Sequence, residues 1–503
     1  MKLATLTREL EHDMLQGTEE KDVKALIYFS DEAVPGSMFF AIPGAEEDGT
    51  NYIHEAVRLG ADVIVTRQNS FTPGMLPSQI TVLQVPDVRK ALAQASRIFY
   101  RDPCRNLLTI GVTGTKGKTS TTFMIRAILE AAGIKTGLLG TVQNGWEGHF
   151  EEADRTTPQS ADVQKWCRQM ADAGCRALVM EVSSQGLKQS RVEGILFDIG
   201  VFTNLSPDHI GPGEHENFEE YAFWKSRLFA QCKKAIINED DPHWRALLPD
   251  HTGKVISFGQ NRSADYVCEN LHLVRNHRGP GVELVMDGHL ISMGLPGTFN
   301  GMNAAGAAAA ARELGIPWAV IQKALSKLKI PGRVEPVDTG GHTSVLVDYA
   351  HNGISLQQLL TDLKQYQPAR LIVVFGCGGN RDRNRRFEMG RAAAQLSDLT
   401  VVTSDNPRKE KPEDIIRDIT SAMDEAGAAQ ERYIVIPDRA EAIRWAVTEG
   451  GPEDIVLIAG KGHETYQLAG ENKIHFDDRE IVKQTGYSNL EDDMNRVMGE
   501  RET

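Results

Sequence analysis

Short apolar runs that stop abruptly at a polar residue or a glycine, with helix-spaced segments between them, recur through this chain and admit few architectures. Leu107 to Val112, Ala177 to Val182, Ile199 to Thr203 and Ala235 to Asn238 form one series. Runs of this kind, apolar without alternation, suit strands buried on both faces of a parallel sheet. Between them, Met124, Ile125, Ile128, Leu129 and Ala131 recur at helical spacing, and Gly133 offers a left-handed C-terminal cap. A second series follows a break at Pro331-Gly332: Ser344 to Asp348, Leu371 to Phe375, Leu399 to Thr403, Tyr433 to Ile436 and Ile455 to Ala459. Ligands of open parallel sheets gather beyond the carboxyl ends of the strands, so Asp348, Gly376, Ser404-Asp405 and Gly460 are expected as neighbours across one crevice.

The fold class expected is α/β in three domains, because 503 residues exceed what one hydrophobic core serves. Residues 1–106 read as a small α/β domain, with runs at Ser37 to Ile42 and Asp62 to Thr66 and turns at Pro35-Gly36 and Pro43-Gly44. Residues 107–332 carry the first parallel sheet. Within them, Val267 to Met293 alternates like an antiparallel insertion, and the alanine-rich Asn303 to Leu314 reads as a closely packed helix. Residues 333–503 carry the second parallel sheet, and the polar stretch Glu491 to Thr503 reads as a solvated end.

Charge and cysteine usage exclude several function classes. A formal net charge of -14 with no basic stripe argues against nucleic acid or an anionic membrane as partner. Met1 to Asp13 is charged throughout and no run approaches membrane-spanning length, so a cytoplasmic protein is expected. The six cysteines (Cys104, Cys167, Cys175, Cys232, Cys268, Cys377) are scattered without a CxxC pair, which fits free thiols rather than disulfides or a zinc site. Cys377 sits in a glycine-rich loop, where packing is a simpler role than nucleophilic attack.

The sharpest chemical signal is Gly111-Val112-Thr113-Gly114-Thr115-Lys116-Gly117-Lys118-Thr119-Ser120, between an expected strand and an expected helix. Glycines let backbone N–H groups converge on phosphate oxygens, the helix start favours anions, Lys118 adds charge, and Thr119 can ligate magnesium. Val112 stands where the general P-loop pattern has glycine, leaving the variant TGTxGKT. A kinase or GTPase would satisfy this loop alone. Glu181 ends a buried run and is a sensible magnesium ligand, whereas His209 alone reads more simply as a structural histidine.

Ordered motifs then appear along nearly the whole chain: TGTKGKTS at 113–120, TTP at 156–158, EVSS at 181–184, FTNLSPDH at 202–209, FNGMN at 299–303, PGR at 331–333, DYAH at 348–351, GCGGNRD at 376–382, DNPR at 405–408 and GKGHE at 460–464. In these the chain resembles the Mur ligase family, and within it the MurE type, which adds the third residue of the peptidoglycan stem peptide. The resemblance implies a UDP-binding N-terminal domain, a central ATPase domain, and a C-terminal Rossmann-like domain that closes over ATP and brings the amino acid. It also implies a mechanism in which the acceptor's terminal carboxylate attacks the γ-phosphate of ATP and the amine then attacks the resulting acyl phosphate.

By the same resemblance, Gly114, Thr115, Lys116, Gly117, Lys118, Thr119, Ser120, Asn303, Arg333 and Asp348 surround ATP. Thr119, Glu181 and His209 hold magnesium, and Lys225 matches a carbamylated lysine that helps bind a second magnesium ion. Sequence alone would make Lys225 a surface residue. The acceptor, a UDP-muramyl dipeptide, would meet Ser30, Thr156, Thr157, Ser184 and Arg191. The free amino acid would meet Arg381, Asp405, Asn406, Arg408, Gly460 and Glu464, which match residues that hold meso-diaminopimelate. Arg408 could clamp a distal carboxylate and Glu464 a distal ammonium, although Asp-Asn-Pro is itself a turn sequence in which an exposed arginine needs no ligand. A monomer is expected. Three places depart from the family pattern: Phe29-Ser30-Asp31, Gln185-Gly186 and Ile210-Gly211, all bearing on the acceptor. The alternatives are an L-lysine-adding or diverged Mur-type ligase with another acceptor, a folylpolyglutamate synthetase, and a catalytically silent nucleotide-binding protein; the N-terminal domain opposes the second of these.

Overall fold

The computed structural model describes residues 1–44, 47–70, 72, 74–211, 213–276, 279–340, 343–470 and 472–486. They divide into two compact units: Met1–Val267 with Ala305–Pro317, and Cys268–Ala304 with the described part of Trp318–Thr503. The stretch Glu491 to Thr503 lies outside the described residues. Among the described residues no helix is long and apolar enough to cross a membrane.

The first unit contains two sheets. In the smaller, the strands run in the order Asp13–Gln16, Thr81–Val85, Ala61–Arg67, Ser37–Phe40, Ala25–Ile27, all parallel except the first. Strand Ala61–Arg67 is buried on both sides. Val63 and Val65 face Val88, Ala91 and Leu92 of the helix Val88–Phe99, and Ile64 faces Ile53 and Ala56 of the helix Ile53–Leu59. Asp87 caps the longer helix through the backbone N–H groups of Arg89 and Lys90, satisfying donors the helix itself cannot.

The larger sheet has nine strands, ordered Tyr266–Val267, Lys254–Gly259, Cys232–Asn238, Phe197–Phe202, Leu108–Thr113, Ala177–Glu181, Thr136–Leu139, Gln143–Trp146, His149–Glu152. The first seven are parallel and the last two form an antiparallel hairpin. The four apolar runs read from the sequence are its centre. Leu178 and Met180 pack toward Val163, Cys167 and Met170 of the helix Ser160–Asp172, in one core with Tyr221, Leu228 and Phe229 of the helix Phe218–Ala230. Val267 departs from expectation. It pairs in parallel with Gly259 at the rim of this sheet instead of opening the antiparallel insertion.

The second unit begins with that insertion, a three-stranded antiparallel sheet of Glu269–Asn276, Gly279–Met286 and His289–Met293. Tyr366 fastens it by accepting from the Gly297 N–H at 2.9 Å and donating to the Gly281 carbonyl at 2.7 Å. The six-stranded sheet follows, ordered Glu335–Val337, Ser344–Asp348, Ile455–Ala459, Leu371–Phe375, Leu399–Val402, Tyr433–Val435, parallel but for its first strand. The last parallel strand in sequence inserts between the first two, so the chain reverses direction beside Ile455–Ala459 and opens the expected crevice at the strand ends.

All six cysteines are buried free thiols, as composition suggested. Cys377 packs with its Sγ 3.6 Å from Met389 Sδ, and burial pushes its thiol upward, which suits packing and not attack.

Arg439 and Asp478 form an ion pair whose side chains are both 0% exposed. The guanidinium also donates to the carbonyls of Ser404 and Ala459, so it ties two strand ends to the last described helix. Arg439→Met should therefore leave a buried carboxylate unpaired and lower the unfolding midpoint of this unit in urea, a loss of about 3–5 kcal/mol. Arg444→Met, an exposed position on the helix Arg439–Glu449 that also carries Arg439, should leave the midpoint unchanged; equal midpoints for both variants would contradict the assignment.

Candidate active site

In the first unit, strand Leu108–Thr113 delivers the chain into the loop 114–117, and the helix Lys118–Ala131 begins directly behind it. Two glycines make the turn possible. Gly117 has φ +83°, and a Cβ on Gly114 would lie 1.9 Å from Thr203 Oγ1. The segment after strand Phe197–Phe202 braces the loop. Thr115 N donates to the Asn204 carbonyl at 2.8 Å, Lys116 N to Asn204 Oδ1 at 2.9 Å, and Thr203 Oγ1 to the Lys116 carbonyl at 2.6 Å. Lys118 folds back over the loop, its Nζ donating to the carbonyls of Gly114 and Thr115 at 2.8 and 3.0 Å. Ser120 is buried in the first helical turn.

Glu181, at the end of strand Ala177–Glu181, is 1% exposed and lies under the helix start. Thr119 Oγ1 is 3.0 and 3.1 Å from its two oxygens, while Thr141 donates from its backbone N at 2.8 Å and its hydroxyl at 3.1 Å. Hydroxyl and carboxylate oxygens side by side at a helix N-terminus are hard donors of the kind magnesium takes. Among the described residues no group of three or more His, Cys, Asp or Glu side chains could hold a metal. Two protein donors would leave the remaining positions of such an ion to waters and phosphate oxygens.

Lys225 is 1% exposed, contrary to the surface position that sequence alone gives it. Its helix, Phe218–Ala230, turns it inward, with Nζ donating to the Gly114 carbonyl at 2.8 Å and lying 4.5 Å from the centre of the Tyr221 ring. Burial, with Lys118 nearby, holds its ammonium well below the usual lysine range, against the opposing pull of Asp208. His209 stands at the edge of this cluster, its ring centre 6.2 Å from that of Tyr221; it has φ +55°, is about half exposed, and its Nδ1 bonds Glu214 at 2.9 Å.

The remaining predicted residues of this unit lie beyond Glu181. Thr156 Oγ1 lies 3.1 Å from Thr141 Oγ1, and Thr157 Oγ1 donates to the Glu181 carbonyl at 2.9 Å. Arg191 NH1 donates to the Thr157 carbonyl at 2.7 Å and NH2 to Gln189 Oε1 at 2.7 Å. Arg89 reaches the same Gln189 oxygen at 3.3 Å. Burial, then the charges of Arg155 and Arg89, pull Arg191 down to about 10, so an anion here would relieve mutual repulsion. Ser184 Oγ is 2.9 Å from Nε2 of the fully buried His215. Ser30 stands apart, donating to Glu55 Oε2 at 2.7 Å. Arg89, Gln189, Thr141 and His215 escaped the sequence reading because only tertiary contacts bring them here.

In the second unit the expected crevice forms. Asp348 accepts from the backbone of Val334 and Ala350 at 2.8 and 2.7 Å, and burial raises its carboxyl above the usual range. Arg333 lies 5.0 Å from the centre of the Tyr349 ring, and Tyr349 packs at a tilt against His463, which burial, Arg333 and Arg479 push down to about 4. Asn303, on the helix Thr298–Glu313, bonds Asn300 Oδ1 at 3.3 Å. Gly460 has φ +113°, and a Cβ there would meet Asp405 Oδ2 at 2.7 Å.

Beside it, Asn406 Nδ2 donates to Glu464 Oε2 at 2.8 Å. Arg408, at φ +52°, donates from NH1 to the Gly379 carbonyl at 2.9 Å, and its backbone pairs with Leu468 and Gly470 of the hairpin Tyr466–Ala469/Asn472–His475. Arg381 is exposed on the 376–382 loop. Glu410 accepts from the Asn380 N–H of that loop and is held in turn by the nearly buried Arg386, which bonds Glu410 and Asp418 at 2.8–2.9 Å. The pocket thus presents carboxylates and guanidiniums together, suited to a zwitterion.

The chain matches the model of the Mur ligase family catalytic domain over residues 24–100, the Mur ligase middle domain over 112–311, and the Mur ligase glutamate ligase domain over 332–462. The UDP-N-acetylmuramoyl-L-alanyl-D-glutamate--2,6-diaminopimelate ligase of Caldanaerobacter subterraneus subsp. tengcongensis is 40% identical over 486 residues, covering 96% of this chain and 98% of that one. The enzyme of the same name from Clostridium tetani is 39% identical over 487 residues, covering 96% and 99%. A solved structure of a ligase of this name superposes with a TM-score of 0.68 at 29% identity, covering 97% of this chain and 99% of its own. MurF from Acinetobacter baumannii, with a TM-score of 0.63 at 19% identity over 92% and 96% of the two chains, shares the fold.

Gly114→Ala should weaken nucleoside triphosphate binding by at least ~10-fold in equilibrium titration, since the added methyl collides with Thr203. Unchanged affinity would mean that the loop does not bind phosphate.

Proposed function

Because this chain belongs to the Mur ligase family, we propose that it joins meso-diaminopimelate to the terminal carboxylate of UDP-MurNAc-L-Ala-D-Glu in peptidoglycan synthesis, as the relatives' names describe. It is an ATP-dependent, ADP-forming ligase. The observation that carries the choice of amino acid is the pocket in which Asp405, Asn406 and Glu464 stand beside Arg408. Diaminopimelate ends in an ammonium and a carboxylate on one distal carbon. Glu464 suits the first, and the fork of Arg408 suits the second. Lysine would leave the guanidinium without a carboxylate to bind.

The loop 114–120 would hold the phosphates of ATP, with Lys118 neutralising charge, and Asn303, Arg333 and Asp348 would meet the rest of the nucleotide. Arg191, eased by any anion, would take a carboxylate of the acceptor with Thr156, Thr157 and Ser184, and Ser30 its uridine end. An acceptor carboxylate oxygen then bonds the γ-phosphorus as the bond to ADP breaks. The amine, having lost a proton, bonds the acyl carbon, and phosphate leaves. Held reactants and neutralised charge do most of this work. Magnesium held by Thr119 and Glu181 would screen the transferring phosphoryl group. His209, paired with Glu214, stands outside this donor set.

Lys225, whose ammonium burial disfavours, is suited to add carbon dioxide: the nitrogen lone pair of the free amine bonds carbon, a proton passes to solvent, and a carbamate results. Activity should fall several-fold in bicarbonate-free buffer and return when bicarbonate is restored. Lys225→Ala should be inactive and regain part of its rate with a small added carboxylate. Indifference to both additions would refute the carbamate.

We divide the chain into an acceptor-binding domain at 1–106, an ATP-binding domain at 107–332 and an amino-acid-binding domain at 333–503, and read it as a cytoplasmic monomer. The separate cores of the small sheet, the large sheet and the six-stranded sheet support that division. Arg408→Ala should raise the KM for diaminopimelate by about 10- to 150-fold, the value of a charge-assisted contact of about 1.5–3 kcal/mol, while the KM for ATP stays within about twofold. Equal increases would deny Arg408 its role. An acceptor labelled with oxygen-18 in its terminal carboxylate should pass one label to the released phosphate, and unlabelled phosphate would exclude the acyl phosphate.

A further inference from the structure

The loop after strand Ile455–Ala459 carries a cation that sequence reasoning left without a role. Lys461 is 0% exposed and stands two residues after the strand ends. Its Nζ donates to Asn406 Oδ1 at 3.2 Å, to Glu464 Oε2 at 3.0 Å and to the Tyr466 carbonyl. An ammonium has three N–H donors, and all three are engaged here. None is left for a ligand, so Lys461 can act on a substrate only through its neighbours.

Those neighbours are two of the residues assigned to the amino acid. Asn406 Oδ1 accepts from Lys461 and from Leu468 N at 2.9 Å, and this double demand turns the amide nitrogen toward Glu464. Glu464 Oε2 receives both Lys461 and the Asn406 amide, whereas Oε1 has no hydrogen-bond partner among the described residues. One oxygen is thus spent on orientation and the other kept available. Without the ammonium, a buried amide oxygen and a carboxylate oxygen would each lose a donor, and both side chains would be held less firmly.

We propose that Lys461 is a positioning residue for the amino acid: its buried ammonium fixes the Asn406 amide and the Glu464 carboxylate so that Glu464 Oε1 receives the substrate's distal ammonium. The inference rests on the reading that Asn406 and Glu464 bind the amino acid, and it adds the element that sets their geometry.

The test uses the full chain with UDP-MurNAc-L-Ala-D-Glu, ATP and diaminopimelate. Lys461→Met should raise the diaminopimelate KM by at least ~10-fold, with the KM values for ATP and acceptor within about twofold of the unchanged enzyme. Lys461→Gln, which retains a donor, should recover part of the loss and serves if the methionine variant melts early. In a double-mutant cycle, adding Lys461→Met to Glu464→Gln should cost far less than it does alone, because the partner it orients is already gone. Additive losses, equal increases in all three KM values, or an unchanged diaminopimelate KM would overturn the proposal. Absence of turnover in the unaltered enzyme would instead overturn the ligase reading beneath it.

Discussion

Glu181 is the group on which the phosphate half of the molecule depends. A carboxylate with 1% of its surface exposed must be met by donors or its burial costs several kcal/mol. Here the Thr119 hydroxyl and the amide and hydroxyl of Thr141 meet it, so its donors come from two different segments. Satisfying one charge therefore fixes the first turn of the helix Lys118–Ala131, the end of strand Thr136–Leu139 and the end of strand Ala177–Glu181 in one arrangement. Even the backbone of Glu181 takes part, since its carbonyl accepts from Thr157 and through it lies two bonds from Arg191. A glycine is needed at 140 because a Cβ there would lie 2.5 Å from the carboxylate.

The same logic of local compensation answers how a chain with a net charge of -14 can be built for anionic ligands. Long-range attraction would work against it, and salt screens distant charges in any case. What remains are short-range devices: backbone N–H groups at a helix start, a lysine folded over a glycine loop, and the arginines 89, 155 and 191 crowded enough to depress one of their own number. The second unit uses the opposite sign in equal measure. Lys461 offsets Glu464, Arg386 offsets Glu410 and Asp418, and Arg439 offsets Asp478, which leaves Arg408 and one oxygen of Glu464 for a ligand.

Much of this was legible in the sequence where one local pattern implies one local structure. Buried strands such as Leu371–Phe375 and Ile455–Ala459 stand where their apolar runs are, and the strand ends give the crevice its position. The glycine loop announces itself because its turn demands those residues. Legibility failed wherever a side chain's meaning is conferred by distant partners. Lys225 looks like any helical lysine until the sheet and Tyr221 enclose it. Val267 has the alternation of the insertion, but register draws it to Gly259. Lys461 sits inside a recognised motif, and yet its three acceptors come from residues 406, 464 and 466. His209 belongs to a motif that marks a ligand, while in the structure its ring is held by Glu214.

The account's central claim is that activation of a nucleotide-linked peptide and capture of a distal zwitterion belong to one enzyme. Its most direct test is ATP-dependent phosphate release with UDP-MurNAc-L-Ala-D-Glu and, in separate reactions, meso-diaminopimelate, L-lysine or L-ornithine, each product identified by mass. The account predicts rapid release and a tripeptide product with diaminopimelate alone. Efficient turnover with L-lysine or L-ornithine, or none with any of the three, would contradict it.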